Sequence, residues 1–456
     1  MTARSVKNDD RTIFGWAMYD WANSAYSTTI AGAILPALFA DEIVPDEGFV
    51  VFGRALSGET LWAAVVGVGA FVLFLATPVL GAMADFSATK RRFLRVFATV
   101  GALVSVLLAL MGPGDVVLTL SLFLVAQMGF VGANVFYDGF LPDISTDATI
   151  DRISSRGFAL GYIGGGVQLL AAAGIIVMHE SFGLTEADAA RVGIAMAGLW
   201  WLGFGWWSMT RFPETGVRQA LPLDLRGKRP IVAYTTIGLR RTGATVRRLL
   251  GFPQLLLFVV AYMFYNDGVQ TTINLTAVYA SDTLDLSAQT ILIAFLIVQF
   301  IAFFGALGFG VLADRIGTKQ AIQASLVVWC LVAIGAFALP ANAPTPFYGL
   351  AAVVGFILGG VQALSRSLYG SMIPEEASAE FYGFFSVFSK FSAIWGPLIF
   401  AVISATADSG RPAILSIIAF FIVGMVLLAR VDVDEARRSR ARWSFEADEV
   451  EVEPDR

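Results

Sequence analysis

Tyr19-Asp20-Trp21-Ala22-Asn23-Ser24-Ala25-Tyr26-Ser27 sets a carboxylate, an amide and two hydroxyls inside an apolar run that extends from about Phe14 to Phe39. A run of that length crosses a bilayer as a helix. Ionisable groups within it are costly unless they face a cavity or a partner. At helical spacing Asp20, Asn23, Ser24 and Ser27 share one face, with apolar residues mostly elsewhere. The stretch therefore predicts a membrane helix with one wet stripe lining a pathway.

The same pattern recurs outward from it. Of 456 residues, 57% are hydrophobic and only 15% charged, the composition of a polytopic membrane protein. Apolar runs predict about twelve spans, near 14–39, 61–84, 93–111, 116–140, 157–178, 189–210, 252–280, 289–312, 320–339, 347–370, 383–405 and 412–430. In lipid these must be helices, and they lack the period-two alternation of barrel strands. The fold class expected is an all-α polytopic membrane protein. No cleavable signal is visible: the first eleven residues are polar, and the first apolar segment is too long for a signal core.

Composition also excludes chemistry. The single cysteine, Cys330, lies in an apolar run, and the single histidine, His179, lies near a span end. A disulfide framework, a thiolate metal site and a nucleophile–base constellation are all unsupported. An enzyme is not expected, nor a cofactor, a metal or a nucleic-acid partner. The expected partners are a small-molecule substrate, protons and the lipid bilayer, with a monomer as the working unit.

Orientation follows from lysine and arginine. With the amino terminus in the cytoplasm, 26 of the 31 basic residues fall in inner loops and tails. Only Arg54, Arg191 and Arg411 fall outside. That asymmetry puts both termini in the cytoplasm, and short loops suit an inner (plasma) membrane. The basic stretch 212–250 reads as a linker along the inner surface between lobes 1–211 and 251–430. Trp200, Trp201, Trp206 and Trp207 read as an interfacial aromatic belt. Residues 431–456 read as a short disordered tail.

An internal repeat supports two lobes. Gly81-Ala-Met-Ala-Asp85 with Lys90-Arg91-Arg92 is echoed by Gly310-Val-Leu-Ala-Asp314-Arg315-Ile-Gly317-Thr-Lys319. Leu141-Pro142-Asp143 is echoed by Ile373-Pro374-Glu375, and Gly157-Phe158 by Gly383-Phe384. Six plus six spans at one offset is a duplicated transporter architecture.

The glycine–aspartate–basic loops resemble the signature cytoplasmic loop of the major facilitator superfamily. The first copy departs from it, with Phe86 where an arginine is usual and Ala88 where a glycine is usual. Five further motifs in order resemble the branch typified by the autophagy-related vacuolar amino-acid effluxers. They are Tyr19 to Tyr26, Tyr137-Asp138-Gly-Phe-Leu-Pro142, Gly157 to Gly165, Gln362 to Leu368, and Glu380-Phe-Tyr-Gly383-Phe384 with Lys390 and Gly396-Pro397 behind it. The match runs over nearly the whole chain. It implies twelve helices in two rocking lobes, and a central cavity walled by the first, fourth, seventh and tenth.

The residues read independently give polar stripes on those same four helices. Span one offers Asp20, Asn23, Ser24 and Ser27; span four offers Gln127, Asn134, Tyr137 and Asp138. Span seven offers Asn266, Asp267, Gln270, Thr271 and Asn274; span ten offers Gln362, Ser365, Arg366 and Tyr369. Arg366 is expected to bridge to Asp20 or Asp138, and Lys390 to another of the carboxylates. Two readings of this cluster stand: a gate that re-pairs as the lobes rock, and a static ion pair. Asp20 or Asp267 is a candidate proton carrier. Both signs of charge beside amides and hydroxyls suit an amino acid or similar zwitterion, with export favoured. The alternatives are a carrier of a sugar, nucleoside or organic anion, and a transporter-like sensor without net flux. Gly81, Asp85, Lys90, Arg91, Gly310, Asp314, Arg315, Gly317 and Lys319 are the expected cytoplasmic gating loops.

Overall fold

The computed structural model describes residues 7–213, 219–407 and 410–443. Helix α1 (Asp10–Ala25) starts on an Asp9 cap whose carboxylate accepts the Thr12 N–H at 2.9 Å. It continues without a break through a π-helical segment, Tyr26–Ile34, and on to Ile43. A small hairpin, β1 (Phe49–Val51) against β2 (Arg54–Leu56), follows with Phe49 opposite Leu56. Then come α2 (Gly58–Ser87), α3 (Lys90–Leu108), α4 (Val116–Gly139), α5 (Ile150–Val177) and α6 (Glu186–Met209). Helix α7 (Pro230–Leu249) occupies the basic linker. The second half holds α8 (Pro253–Val278), α9 (Ala288–Ile316), α10 (Thr318–Ala338) and α11 (Pro344–Met372). It closes with α12 (Ser378–Phe391), α13 (Trp395–Ala407), α14 (Gly410–Ala429) and α15 (Val433–Arg440).

Among the described residues, eight helical segments are long and apolar enough to cross a membrane. A ninth is added if α7 and Pro253–Thr283, bent by 96°, count as one broken span. Because α7 ends in that bend, its arginines run off sideways from the axis of α8. The repeat reappears in the caps: Ser57 starts α2 on the Thr60 N–H, and Ser287 starts α9 on the Thr290 N–H. At the turn after α2, Ala88 takes a left-handed conformation (φ 51°) where the second copy has Gly317 (φ 91°). A side chain in the left-handed region costs about 1 kcal/mol, a strain that the second copy avoids.

Among the described residues two large apolar cores form, with a small third where Phe86, Leu225, Ala233 and Ile237 meet. One draws on residues from Ile13 to Phe212, joined by Ala379; the other runs from Leu249 to Trp443. The halves meet along two related seams, α2 against α12 and α5 against α9. Close approach on the first seam depends on glycine: a Cβ on Gly81 would sit 2.3 Å from the Ala379 carbonyl oxygen, and one on Gly383 2.7 Å from that of Thr77. The first and last described stretches lie on one face, since Asn8 donates to the Ile144 carbonyl and Arg440 pairs with Asp147 at 2.7 Å.

Three expectations need correction. The linker does not simply run along a surface, because Ala233, Ile237, Gly238, Arg241 and Thr245 of α7 are buried against the end of α2. The tail does not lose order at 431: Asp432 caps α15 at the Glu435 N–H, and Trp443 packs between Phe252 and Phe381. Residues 444–456 of the expected disordered tail lie outside the described residues. Among the four tryptophans, Trp201 is a core side chain under Gly101, whereas Trp206 and Trp207 are exposed as a belt requires.

Candidate functional site

Between the halves lies a cavity of about 200 Å3 walled by α4, α5, α8, α11 and α12. Asn134, Asp138, Asn266, Gln270, Gln362, Arg366 and Lys390 reach its lining. Tyr262, Tyr265, Phe130, Phe158 and Phe385 supply the apolar wall. The polar stripes on α4, α8 and α11 thus converge on one space.

Arg366 closes the cavity toward the face where Asn8 and Arg440 lie. It extends from α11 across the seam, is 4% exposed, and places Nη1 3.2 Å from Asp20 Oδ2 and 3.1 Å from Asp138 Oδ1. Its Nε donates to Ser154 Oγ at 3.0 Å and its Nη2 to the Ser154 carbonyl at 2.9 Å. The guanidinium lies over the rings of Phe158 (4.1 Å) and Trp16 (4.8 Å). One side chain therefore ties α11 to α1, α4 and α5. A planar five-donor fork suits this role; a lysine would satisfy only part of it.

The carboxylates are held in turn. Tyr137 donates its hydroxyl to Asp20 at 2.7 Å and stacks on Trp16 at 4.5 Å. Trp16 donates its indole N–H to the Tyr137 carbonyl. Gly157 leaves the room: a Cβ there would meet Trp16 at 2.7 Å and Arg366 Nη2 at 2.8 Å. Higher up, Asn23 donates to Asn134, Tyr26 to Gln127, and Tyr162 to Gln362 across the seam. Asn266 donates to the Ser392 hydroxyl, and Tyr265 pairs with Ser365 at 2.8 Å.

Several expected residues stand elsewhere. Asp267 points away from the cavity. Its Oδ1 accepts the Gly396 N–H at 2.8 Å and the Thr271 hydroxyl at 3.3 Å, so it caps α13 where the chain breaks between α12 and α13. A helix start leaves amide donors that need an acceptor, and Asp267 meets that need. Asp20 and Asn23 stand behind the lining residues they hold. Ser24 packs by Gly161, and Ser27 is exposed, bonded to the Ser24 carbonyl. From Tyr26 the helix takes π spacing, so the three-and-four stripe drifts off the cavity. Asn274, one turn beyond Gln270, is exposed. Lys390 makes no ion pair among the described residues; it is one of the residues that line the cavity. Trp16, Ser154 and Phe158 escape sequence reasoning, since nothing marks a serine in a helix as a partner for a distant arginine.

The two loop motifs clasp opposite halves. Lys90 lies 2.7 Å from Asp143 and 3.7 Å from Asp85, and donates to Ser378 of α12 at 2.8 Å. Asp85 accepts the Glu380 N–H at 2.9 Å. In the second copy Asp314 pairs with Arg152 at 2.7 Å, and Thr318 donates to Asp151 at 2.6 Å. Gly310 gives the Ser155 side chain room. Arg91 is half-buried in the first turn of α3, and Arg315 is exposed. Lys319 does not reach the seam; it donates to the Ala429 and Val431 carbonyls at the end of α14.

The family described as "Vacuole effluxer Atg22 like" matches residues 8–441. The uncharacterized MFS-type transporter YxiO of Bacillus subtilis (strain 168) is 31% identical over 416 residues, covering 91% of this chain and 94% of its own. Autophagy-related protein 22-1 of Penicillium rubens is 25% identical over 319 residues, 66% of this chain but only 52% of that protein's length. Among solved structures, the major facilitator superfamily transporter FucP in its outward conformation superposes with a TM-score of 0.67 over 94% of this chain and 100% of its own, at 12% identity. That likeness carries the fold, and with the apolar helices it makes this a multi-pass membrane protein. The chain belongs to the Atg22-like family of major facilitator superfamily transporters.

Proposed function

We propose that the protein is a twelve-helix secondary transporter of the plasma (inner) membrane, with both termini cytoplasmic. It moves an amino acid or similar small zwitterion by alternating access, coupled to protons and in the direction of export. The observation that carries this reading is one cavity whose lining holds both Lys390, which has no ion pair among the described residues, and Asp138, beside Asn134, Asn266, Gln270 and Gln362. A carboxylate finds its cation in Lys390. An ammonium finds its anion in Asp138, which shares Arg366 with Asp20 and so belongs to a pair of acids with one counter-ion. The volume falls below the roughly 300–1,000 Å3 of drug-sized sites, which suits a solute of a few heavy atoms.

The clasped loops and the Arg366 bridge both shut the face near Asn8 and Arg440; with that face cytoplasmic, as proposed, this conformation is read as outward-facing. Rocking would break the bridge and the two loop clasps together. A small organic anion is the second reading, favoured by the lack of an acidic partner for Lys390. Purified protein in liposomes, tested for counterflow of labelled amino acids and of organic anions with and without a pH gradient, separates them. Amino-acid exchange that accelerates with the gradient supports the proposal. Exchange of anions alone moves the assignment to the second reading, and no flux of either class overturns both.

A further inference from the structure

Helix α7 brings charge to a place where the first loop motif lacks it. Gly238 lets α7 approach α2 until a Cβ there would be 2.9 Å from the Val79 carbonyl oxygen. One turn further on, Arg241 (8% exposed) sets its guanidinium over the Phe86 ring at 5.7 Å. Arg241 also donates to Gln219, whose N–H is bonded to the Phe86 carbonyl. Beyond it lies the Glu380 carboxylate of α12, fully buried. Neither of its oxygens has a hydrogen bond of ordinary geometry among the described residues. Thr245, also buried, and Arg241 are the α7 groups that face it.

A buried carboxylate without a counter-charge is expensive. The charges next to it are Asp85 of the first half and Arg241 of the linker, and Asp85 in turn neighbours Lys90, which pairs with Asp143. Three acids face two cations. Without Arg241, three acids would share Lys90 alone.

We infer that the linker helix α7 is a third component of the inner gate, with Arg241 as the positioning residue that neutralises Asp85 and Glu380 across the α2–α12 seam. It supplies a cation beside position 86, where Phe86 is the platform on which Arg241 rests. Both halves are thereby pinned by a segment belonging to neither, and displacing α7 unlocks the gate. The inference rests on the alternating-access reading above.

The test is the rate at which a water-soluble maleimide labels a Ser155→Cys reporter in a Cys330→Ser background, with full-length protein in lipid nanodiscs. Ser155 is 1% exposed on the other seam, beneath Gly310, so it reports opening of the whole face. Arg241→Gln should raise labelling about tenfold, an equilibrium shift of about 1.4 kcal/mol, and Arg241→Lys should raise it less. Arg241→Gln combined with Glu380→Gln removes one charge of each sign and should return labelling toward the parent. Glu380→Gln alone leaves two acids to two cations and should label no faster than the parent. That arm keeps the test decisive should Arg241→Gln not fold. Fast labelling in Arg241→Gln that Glu380→Gln fails to reverse would mean α7 acts by packing alone, and overturns the inference. No change in Arg241→Gln while Lys90→Gln opens the gate overturns it too, leaving alternating access intact. No change in either variant overturns both.

Discussion

Replacing Arg366 by methionine tests the central bridge most directly. The substitution keeps much of the side-chain bulk but strands Asp20 and Asp138, whose side chains are only 14% and 22% exposed. Removing one partner of a buried ion pair costs about 3–5 kcal/mol. Partial exposure here argues for the lower end, near 3 kcal/mol, or a factor of about one hundred in an equilibrium. The bridge spans the two halves, so the loss falls on the closed conformer and not on one where the halves have parted at that face. A population closed 99 parts in 100 would drop to about half. Spin labels at Arg92→Cys and Gln320→Cys, in a Cys330→Ser background, sit exposed at the closed face on opposite halves. Pulsed dipolar spectroscopy should show a second, longer distance in Arg366→Met. Adding Asp20→Asn and Asp138→Asn removes the stranded charge and should shrink that population. An unchanged distance distribution in Arg366→Met would refute the argument, leaving the cluster as a static pair that holds nothing shut.

Other consequences can be checked more quickly. Asp267→Ala should lower the melting temperature through loss of the α13 cap, a change of about 0.5–2 kcal/mol, while leaving the response of flux to a pH gradient intact; abolition of that response would restore Asp267 as a proton carrier. Gly396→Ala should destabilise more, by about 1–3 kcal/mol of overpacking, because its Cβ would fall 1.8 Å from Thr271 Oγ1; an unaltered melting curve would show that α13 shifts freely. Lys390→Gln should weaken substrate binding about tenfold with little change in melting temperature, read as loss of substrate-induced thermal stabilisation; equal binding would remove Lys390 from the carboxylate site.

Much of this protein is legible along the chain because lipid imposes one rule per segment. Apolar runs must become helices to satisfy their backbone, and the duplicated loop motifs mark equivalent turns in two halves. The polar stripes on α4, α8 and α11 are likewise local facts, set by side-chain spacing, and Asn134, Asn266, Gln270, Gln362 and Arg366 follow from them. What spacing cannot express is a change of helical phase or a break. The π-helical turn from Tyr26 carries Ser27 off the stripe, and the interruption before Trp395 draws Asp267 away to cap a helix. Spacing offers Asp20 or Asp138 to Arg366 but cannot say that the arginine meets both and Ser154 as well, because these partners lie on helices more than two hundred residues away. The substitution of Phe86 for an arginine is visible in the sequence as a departure, but its compensation by Arg241 is not. That pairing exists only because α7 folds back across the end of α2, and in a low-dielectric seam such a contact depends on position in space rather than position in the chain.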